Sequence, residues 1–475
     1  MSAEQAIVTR PKTAYGRILA VAGFLVLGAG FILYLAVSAG GGDILSTFAL
    51  TSERAGVRIA APDLVLPTFL SLLIISGLIF FTAVGYLVQK FIRKARLITA
   101  IVYLLGFAAY ISWAIVENSV DVYLATIAVV LGLLASFWLV SREKNENNLL
   151  VMTIALIIVS FLVWATKNDE INLTGMIVSS VVRATPIALA ALSGLYSERS
   201  GVVNIGIEGM MLFGAQASVV FASLTGSPLI GLLVGILFGM VMGWLHGVLC
   251  IKYRINQIIS GTGIIILALG VTSFMHRAFL ETNPLFNTPG PAIAAWPIPV
   301  LWRIPVIGPI LFNQSPIIYI LFALLIITQI VMYKTRWGLR VRSVGEHPRA
   351  ADTLGINVFK TRYMCVLISG AIAGLAGAYI SIGSAGRFNE GMTAGKGFLG
   401  LAAMIFGNWN PGGAFLGSLI FGFFDSWQEK IALLQVGIPV ELLGMAPYLA
   451  TMVVLAGFIG RSRMPAADGT PYEKQ

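Results

Sequence analysis

The sequence predicts an all-α polytopic membrane protein of 12–14 transmembrane helices with both termini in the cytoplasm. Three observations carry that prediction. Hydrophobic residues make up 57% of the chain and charged residues only 11%, where a soluble domain carries about 25% charge. Mean hydropathy is +0.89. Apolar runs of about 17–25 residues, the length that crosses a bilayer as a helix, recur from one end of the chain to the other.

In order, the spans fall at about 17–38, 66–88, 97–115, 121–140, 149–166, 175–195, 204–223, 229–251, 257–280, 316–333, 363–383 and 442–460. A further apolar stretch, 397–424, is interrupted by "GNWNPGG", Gly407 to Gly413, and reads either as two short spans or as a re-entrant hairpin. With the N-terminus inside, 22 of the 31 Lys and Arg fall in the segments 1–17, 89–96, 141–148, 196–203, 252–256, 334–362 and 461–475. Seven lie on the opposite face (Arg54, Arg58, Lys167, Arg303, Arg387, Lys396 and Lys430) and two, Arg183 and Arg277, lie within spans. That asymmetry follows the positive-inside rule. It explains the net charge of +10 without a nucleic-acid partner. The first apolar segment is too long for a signal peptide and lacks a small-residue cleavage site.

The chain divides in two. Residues 1–148 hold four plain apolar spans joined by short charged linkers. Residues 149–475 hold spans rich in Gly, Ser, Asn and Gln with longer loops, the texture of helices that pack closely and line pathways. Gly231, Gly235, Gly239, Gly243 and Gly247 recur every fourth residue, so one face of that helix admits a neighbouring backbone. The reading is packing inside the bundle, with a homodimer seam as the alternative, and His246 beside the stripe reads as a hydrogen-bonded packing residue. Cys250 and Cys365 read as small packing residues, not a disulfide or metal site.

Catalytic patterns are missing: no HExxH, GxSxG or CxxC, and no cluster of His with carboxylates that would hold a metal. "NEGMTAGKGF", Asn389 to Phe398, superficially resembles a phosphate loop. Only three residues separate Gly391 from Gly395, where the pattern needs four, and Gly397 stands where it needs Ser or Thr. The chain shows no ATP site of its own and no convincing catalytic cluster.

The loop Lys334–Arg362 carries seven Lys and Arg. Within it "EHPRAADTLGIN" predicts a short helix, opened by Pro348 and stopped by Gly355. Such a helix held between two spans can dock into a cleft on a soluble partner. The loop Glu281–Ser315, rich in proline and carrying Trp296 and Trp302, reads as an ordered interfacial surface on the opposite side.

"SERSGVVNIGIEGMMLFGA", "GLRVRSVGEHPRAADTLGIN", "SGAIAGLAGAY" and "GKGFLGLAAMIFGNWNPGGA" together resemble the permease subunits of bacterial ABC importers. They belong to the ribose and branched-chain amino acid permease superfamily, and the nearest branch handles nucleosides and simple sugars. The similarity covers about 149–475; the four spans before it are a departure. The resemblance implies an inner-membrane importer subunit that passes a nucleoside, or a related small polar solute such as a simple sugar, into the cytoplasm. It implies an ATP-binding subunit holding ATP and Mg, a second and different permease, and an extracytoplasmic binding protein, which could dock on the Glu281–Ser315 loop. Residues Gly345, Glu346, Pro348, Arg349, Ala350, Ala351, Asp352 and Gly355 would couple to the ATPase. Asn204 and Glu208 would lie near the translocation pathway, and Gln257, Ser260 and Asn389 are further candidates to line it. Spaced four apart, Asn204 and Glu208 are expected to share one helix face, and Glu208 to fix a bend by bonding across helices, with Arg183 as a candidate partner. The alternative to an ATP-driven importer is an ion-coupled secondary transporter, which would need ionisable groups deep in its spans.

Overall fold

Capping residues place the helix starts where the apolar runs begin. The computed structural model describes residues 12–39, 44–54, 57–59, 63–91, 146–290, 293–434, 439, 442, 444–445 and 463–474. Asn256 accepts hydrogen bonds from the backbone N–H groups of Ile258 (2.9 Å) and Ile259 (3.3 Å) and so opens one helix; Asn357 accepts from Lys360 N (2.9 Å) and opens another. Gly226, at φ +67°, closes a third in the left-handed conformation that glycine adopts without strain.

The chain forms two compact units, divided between Leu173 and Thr174 along most of its length. The first contains helices α1 (Lys12–Ala39), α2 (Thr68–Phe91) and α3 (Glu146–Ala165). A small sheet accompanies them: β1 (Leu45–Ala49) pairs antiparallel with β2 (Leu64–Pro67) and parallel with β3 (Glu170–Asn172). Ser46 fastens β1 to the end of α3 by donating to Val163 O at 2.6 Å. Helix α3 belongs with this unit by its contacts: the spot a Cβ on Gly28 would occupy lies 3.2 Å from both Thr153 and Ile157. The expected spans at 97–115, 121–140 and 442–460 lie outside the described residues, apart from isolated positions near the start of the last.

The second unit contains α4 (Leu173–Glu198), α5 (Ile207–Thr225), α6 (Pro228–Gly247), α7 (Gln257–Met275) and α8 (Pro316–Lys334). It continues with the short helices α9 (Arg336–Glu346) and α10 (Pro348–Thr353), then α11 (Val358–Ala378), α12 (Lys396–Phe406) and α13 (Pro411–Leu433). Single π-helical stretches extend α6, α7 and α11 at their C-terminal ends. Seven helices among the described residues are long and apolar enough to cross a membrane. The protein is an all-α multi-pass membrane protein.

The glycine stripe of α6 sits inside the bundle, wedged against α5 and α11. A Cβ on Gly239 would strike the backbone oxygen of Gly370 and lie 2.5 Å from Gly374 Cα; one on Gly243 would lie 2.8 Å from Val366 O, and one on Gly235 2.9 Å from Gly214 O. The facing positions are themselves glycines, so two helix backbones touch directly. His246 bridges two elements, with Nδ1 3.0 Å from Ser260 Oγ and Nε2 3.0 Å from Val203 O.

The interrupted stretch resolves as a short helix followed by a long one. Helix α12 has 11 residues and α13 has 23. At about 1.5 Å per residue α12 spans roughly half a bilayer.

Candidate functional site

The residues at one end of the second unit converge on the loop after α4. Arg199 donates from Nε to Trp409 O (2.9 Å) and from Nη2 to Tyr333 Oη (3.1 Å) at the end of α8. Its neighbour Glu198, 6% exposed, accepts from Trp409 Nε1 at 2.7 Å. Asn408 and Trp409 both have positive φ, +53° and +52°, a conformation that costs a non-glycine residue about 1–2 kcal/mol. Glu198 and Arg199 hold that strained turn between α12 and α13 from both its side chain and its carbonyl. The charged pair that precedes α5 therefore clamps the turn of the broken helix.

Glu208 lies in the first turn of α5, 8% exposed. Its Oε1 accepts from Gly395 N (2.8 Å) and its Oε2 from Gly397 N (2.6 Å). These are orphan donors at the start of α12, so a carboxylate from one helix caps another. Gly397 has to be glycine here, because a Cβ would lie 2.7 Å from Glu208 Oε2 and 2.8 Å from its backbone. A Cβ on the adjacent Gly209 would lie 2.8 Å from Ile264 O, seven residues into α7, or about 10 Å along that helix. The broken helix therefore begins inside the bundle, not at its surface.

Several expectations are corrected by these contacts. Glu208 does not pair with Arg183. Arg183 binds Asp425 (3.0 Å) and Glu429 (2.8 Å) of α13 instead. Asn204 does not share a helix face with Glu208, because α5 begins only at Ile207; Asn204 lies in the preceding loop and donates from Nδ2 to Ser369 Oγ at 3.0 Å.

Among the other pathway candidates, Gln257 accepts from Val203 N through Oε1 at 2.6 Å, and Ser260 contacts His246. Asn204, Gln257 and Ser260 are thus buried together around the loop before α5. Asn389 is exposed, in the loop that leads into α12. Its neighbour Glu390 forms a two-toothed ion pair with Arg277 (3.0 Å). Hydrogen bonds from Ser273 and Arg277 hold the Glu390 carboxyl below the usual carboxylate range.

The segment between α8 and α11 folds as two helices. Thr335 Oγ1 accepts from Gly338 N (3.1 Å) to start α9, which buries Val341, Val344 and Gly345. Gly345 is pressed against Arg199 O, with no room for a Cβ. Pro348 opens α10, Ala351 is its one buried residue, and Gly355 ends the turn at φ +81° with its N–H donating to Asp352 O (2.9 Å). Arg349, Ala350 and Gly355 are exposed, Pro348 and Asp352 half-buried. Glu346 is exposed and turns its carboxylate back to Ala466 N, 3.2 Å away. Sequence reasoning missed Leu354, which is 81% exposed beside this helix; the signal was a lone large apolar residue directly before the stop glycine.

The two free cysteines are buried. No group of three His, Cys, Asp or Glu among the described residues is placed to hold a metal ion. An apolar cavity of about 620 Å³ lies between α4, α8 and α13, walled by Phe322, Phe415 and Phe423.

A bundle of apolar helices with a half-length helix capped inside it is the architecture of a multi-pass membrane protein, and the relatives of this chain say of which class: they are permeases, transport components rather than enzymes. The chain belongs to the family described as the permease component of branched-chain amino acid transport systems, whose profile matches residues 176–460. It is 42% identical over 316 residues to the guanosine ABC transporter permease protein NupQ of Bacillus subtilis (strain 168), covering 64% of this chain and 99% of that protein. It is 41% identical over 322 residues to the nucleoside ABC transporter permease protein NupC of Lactococcus lactis subsp. cremoris (strain MG1363), covering 64% and 99%. A more distant relative is the putative glucose ABC transporter permease protein TsgC13 of Haloferax volcanii, 32% identical over 307 residues, covering 59% of this chain and 91% of that protein. No solved structure matches the chain.

Proposed function

We propose that this chain is one permease subunit of an ATP-driven importer in the bacterial inner membrane, and that its solute is a nucleoside. The observation that carries the reading is the 42% identity to a guanosine permease along 99% of that protein's length. Identity to the putative glucose permease TsgC13 is ten points lower, 32%, which favours a nucleoside over a sugar.

A separate subunit binds ATP and Mg and docks on α10, where Arg349, Ala350 and Leu354 stand exposed on a helix held from below by Ala351. The packing of Gly345 on Arg199 O supports this assignment, because it joins the docking loop to the clamp on the broken helix. A second, different permease completes the passage, and an extracytoplasmic binding protein delivers solute to the loop Glu281–Ser315. That loop is ordered by a short pairing of Trp296–Pro297 with Asn313–Gln314, and Tyr319 Oη donates to Trp296 O at 3.0 Å.

The test is reconstitution. The chain is tagged, solubilised gently from its native host, and whatever co-purifies is identified and returned to vesicles. ATP-dependent guanosine uptake, competed by other nucleosides and not by glucose, is the expected result. Uptake that needs an ion gradient and no ATPase would overturn the reading.

A further inference from the structure

The C-terminal segment 463–474 reads in sequence as a polar tail, yet it threads through the clamp just described. Arg463 N donates to Asn408 Oδ1 (3.0 Å), Ala466 N to Glu346 Oε2 (3.2 Å) and Ala467 N to Gly345 O (2.9 Å). It turns at Gly469 (φ +76°), and Arg362 then donates to Thr470 O at 3.1 Å. Arg362 is only 2% exposed and also donates to Ser200 O at 3.2 Å. Tyr472, 5% exposed, packs in one cluster with Val344, Ala351 and Val358, its ring centroid 5.4 Å from that of Phe359. Glu473 ends the run in a 2.6 Å ion pair with Arg254, beyond the end of α6.

These contacts reach four separate pieces: the helices α9 and α10, the start of α11, the segment after α6, and the turn between α12 and α13. An unfastened polar tail of this length would remain disordered. This one is anchored by a buried aromatic ring and by a buried guanidinium whose Nη1 finds its acceptor on the tail.

We propose that residues 463–474 are a strap that transmits movement of α10 to the broken helix α12–α13, with Tyr472 and Arg362 as its positioning residues. Tyr472 seats the strap under α10 through Ala351, and Arg463 N fastens it to Asn408 at the far end. A push on α10 then moves the Asn408–Trp409 turn with it, so that docking and gating are one rigid displacement. The inference rests on the proposed docking of an ATPase at α10.

The experiment uses the complete importer in vesicles and measures solute imported per ATP hydrolysed, with subunit co-purification and detergent thermostability as controls. Tyr472→Ala is expected to keep the ATPase bound and hydrolysing while the import ratio falls about tenfold, within the usual range for coupling between sites. Tyr472→Phe, which keeps the ring, restores the ratio. Should Tyr472→Ala fail to fold, Glu473→Lys at the exposed end tests the same strap and lowers the ratio more mildly. An unchanged ratio in a folded Tyr472→Ala complex overturns the strap. So does loss of the ATPase from that variant, which makes the tail part of the docking surface only. If the wild-type chain binds no ATPase, the docking assignment itself fails and the strap fails with it.

Discussion

Replacing Glu208 separates an architectural carboxylate from one that meets the solute. Its two oxygens take the N–H groups of Gly395 and Gly397 at 2.8 and 2.6 Å, in a site only 8% exposed. Each buried donor left without a partner costs about 1–3 kcal/mol, so Glu208→Ala, which strands both, costs about 2–6 kcal/mol. Loss of the negative charge at the helix start adds about 0.3–2 kcal/mol. Glu208→Gln keeps one acceptor and strands one donor, so it is milder than Ala by about 1–3 kcal/mol. The assay is thermal unfolding of the purified protein in detergent, alongside uptake in vesicles. The expected order in both is wild type, then Gln, then Ala, with uptake following stability. Two variants that abolish uptake while unfolding at the wild-type temperature would refute the capping argument and place the charge in the passage.

Four further outcomes are expected. Gly239→Ala drives a methyl into the α6–α11 contact and lowers stability by about 1–3 kcal/mol, whereas Gly270→Ala on α7, with nothing within 4 Å, leaves the unfolding temperature unchanged or slightly raised. Arg183→Gln abolishes folding or uptake because it strands Asp425 and Glu429, while Asp425→Asn is tolerated because Glu429 still holds the guanidinium at 2.8 Å; equal loss in both would argue against the shared pairing. Leu354→Glu at the exposed tip beside α10 weakens co-purification of the ATPase without changing the unfolding temperature of the isolated chain. Burial pushes the Asp468 carboxyl from 3.8 up to about 7, with Arg362 opposing and Glu198 within electrostatic reach. A raised carboxyl favours the docked tail with its proton on. Docking is therefore firmest below the ordinary value, loosens as pH rises toward about 7, and is level above it. Protease protection of the tail should fall between about pH 4 and pH 7 in the wild type and stay flat in Asp468→Asn.

The glycine stripe shows what is legible and why. A four-residue repeat of glycines has one physical use on an apolar helix, close backbone approach, and Gly235, Gly239 and Gly243 make it. The short helix opened by Pro348 was equally readable, because proline at a first turn and glycine past the last are local requirements of the helix itself. Membrane character followed from composition, since no water-soluble core needs 57% hydrophobic residues. Glu208 stood out as costly, but its partners lie 187 and 189 residues away, and no local rule points to them. Arg183 was assigned to the wrong carboxylate for the same reason: its partners are 242 and 246 residues downstream.

The sequence alone therefore determined what the described segments are by themselves: apolar helices long enough to span a membrane, the glycine face of α6, the short helix opened by Pro348, and kinship with importer permeases. Those properties follow from side-chain apolarity, helical periodicity and capping, which act over a few residues. Only the tertiary structure decided which charge answers which. It set Glu208 on the start of α12, Glu198 and Arg199 on the Trp409 turn, and a polar tail under α10. A buried charge takes whatever opposite charge or free donor the packing brings within about 3 Å, and that is fixed by how the helices cross, not by their order along the chain.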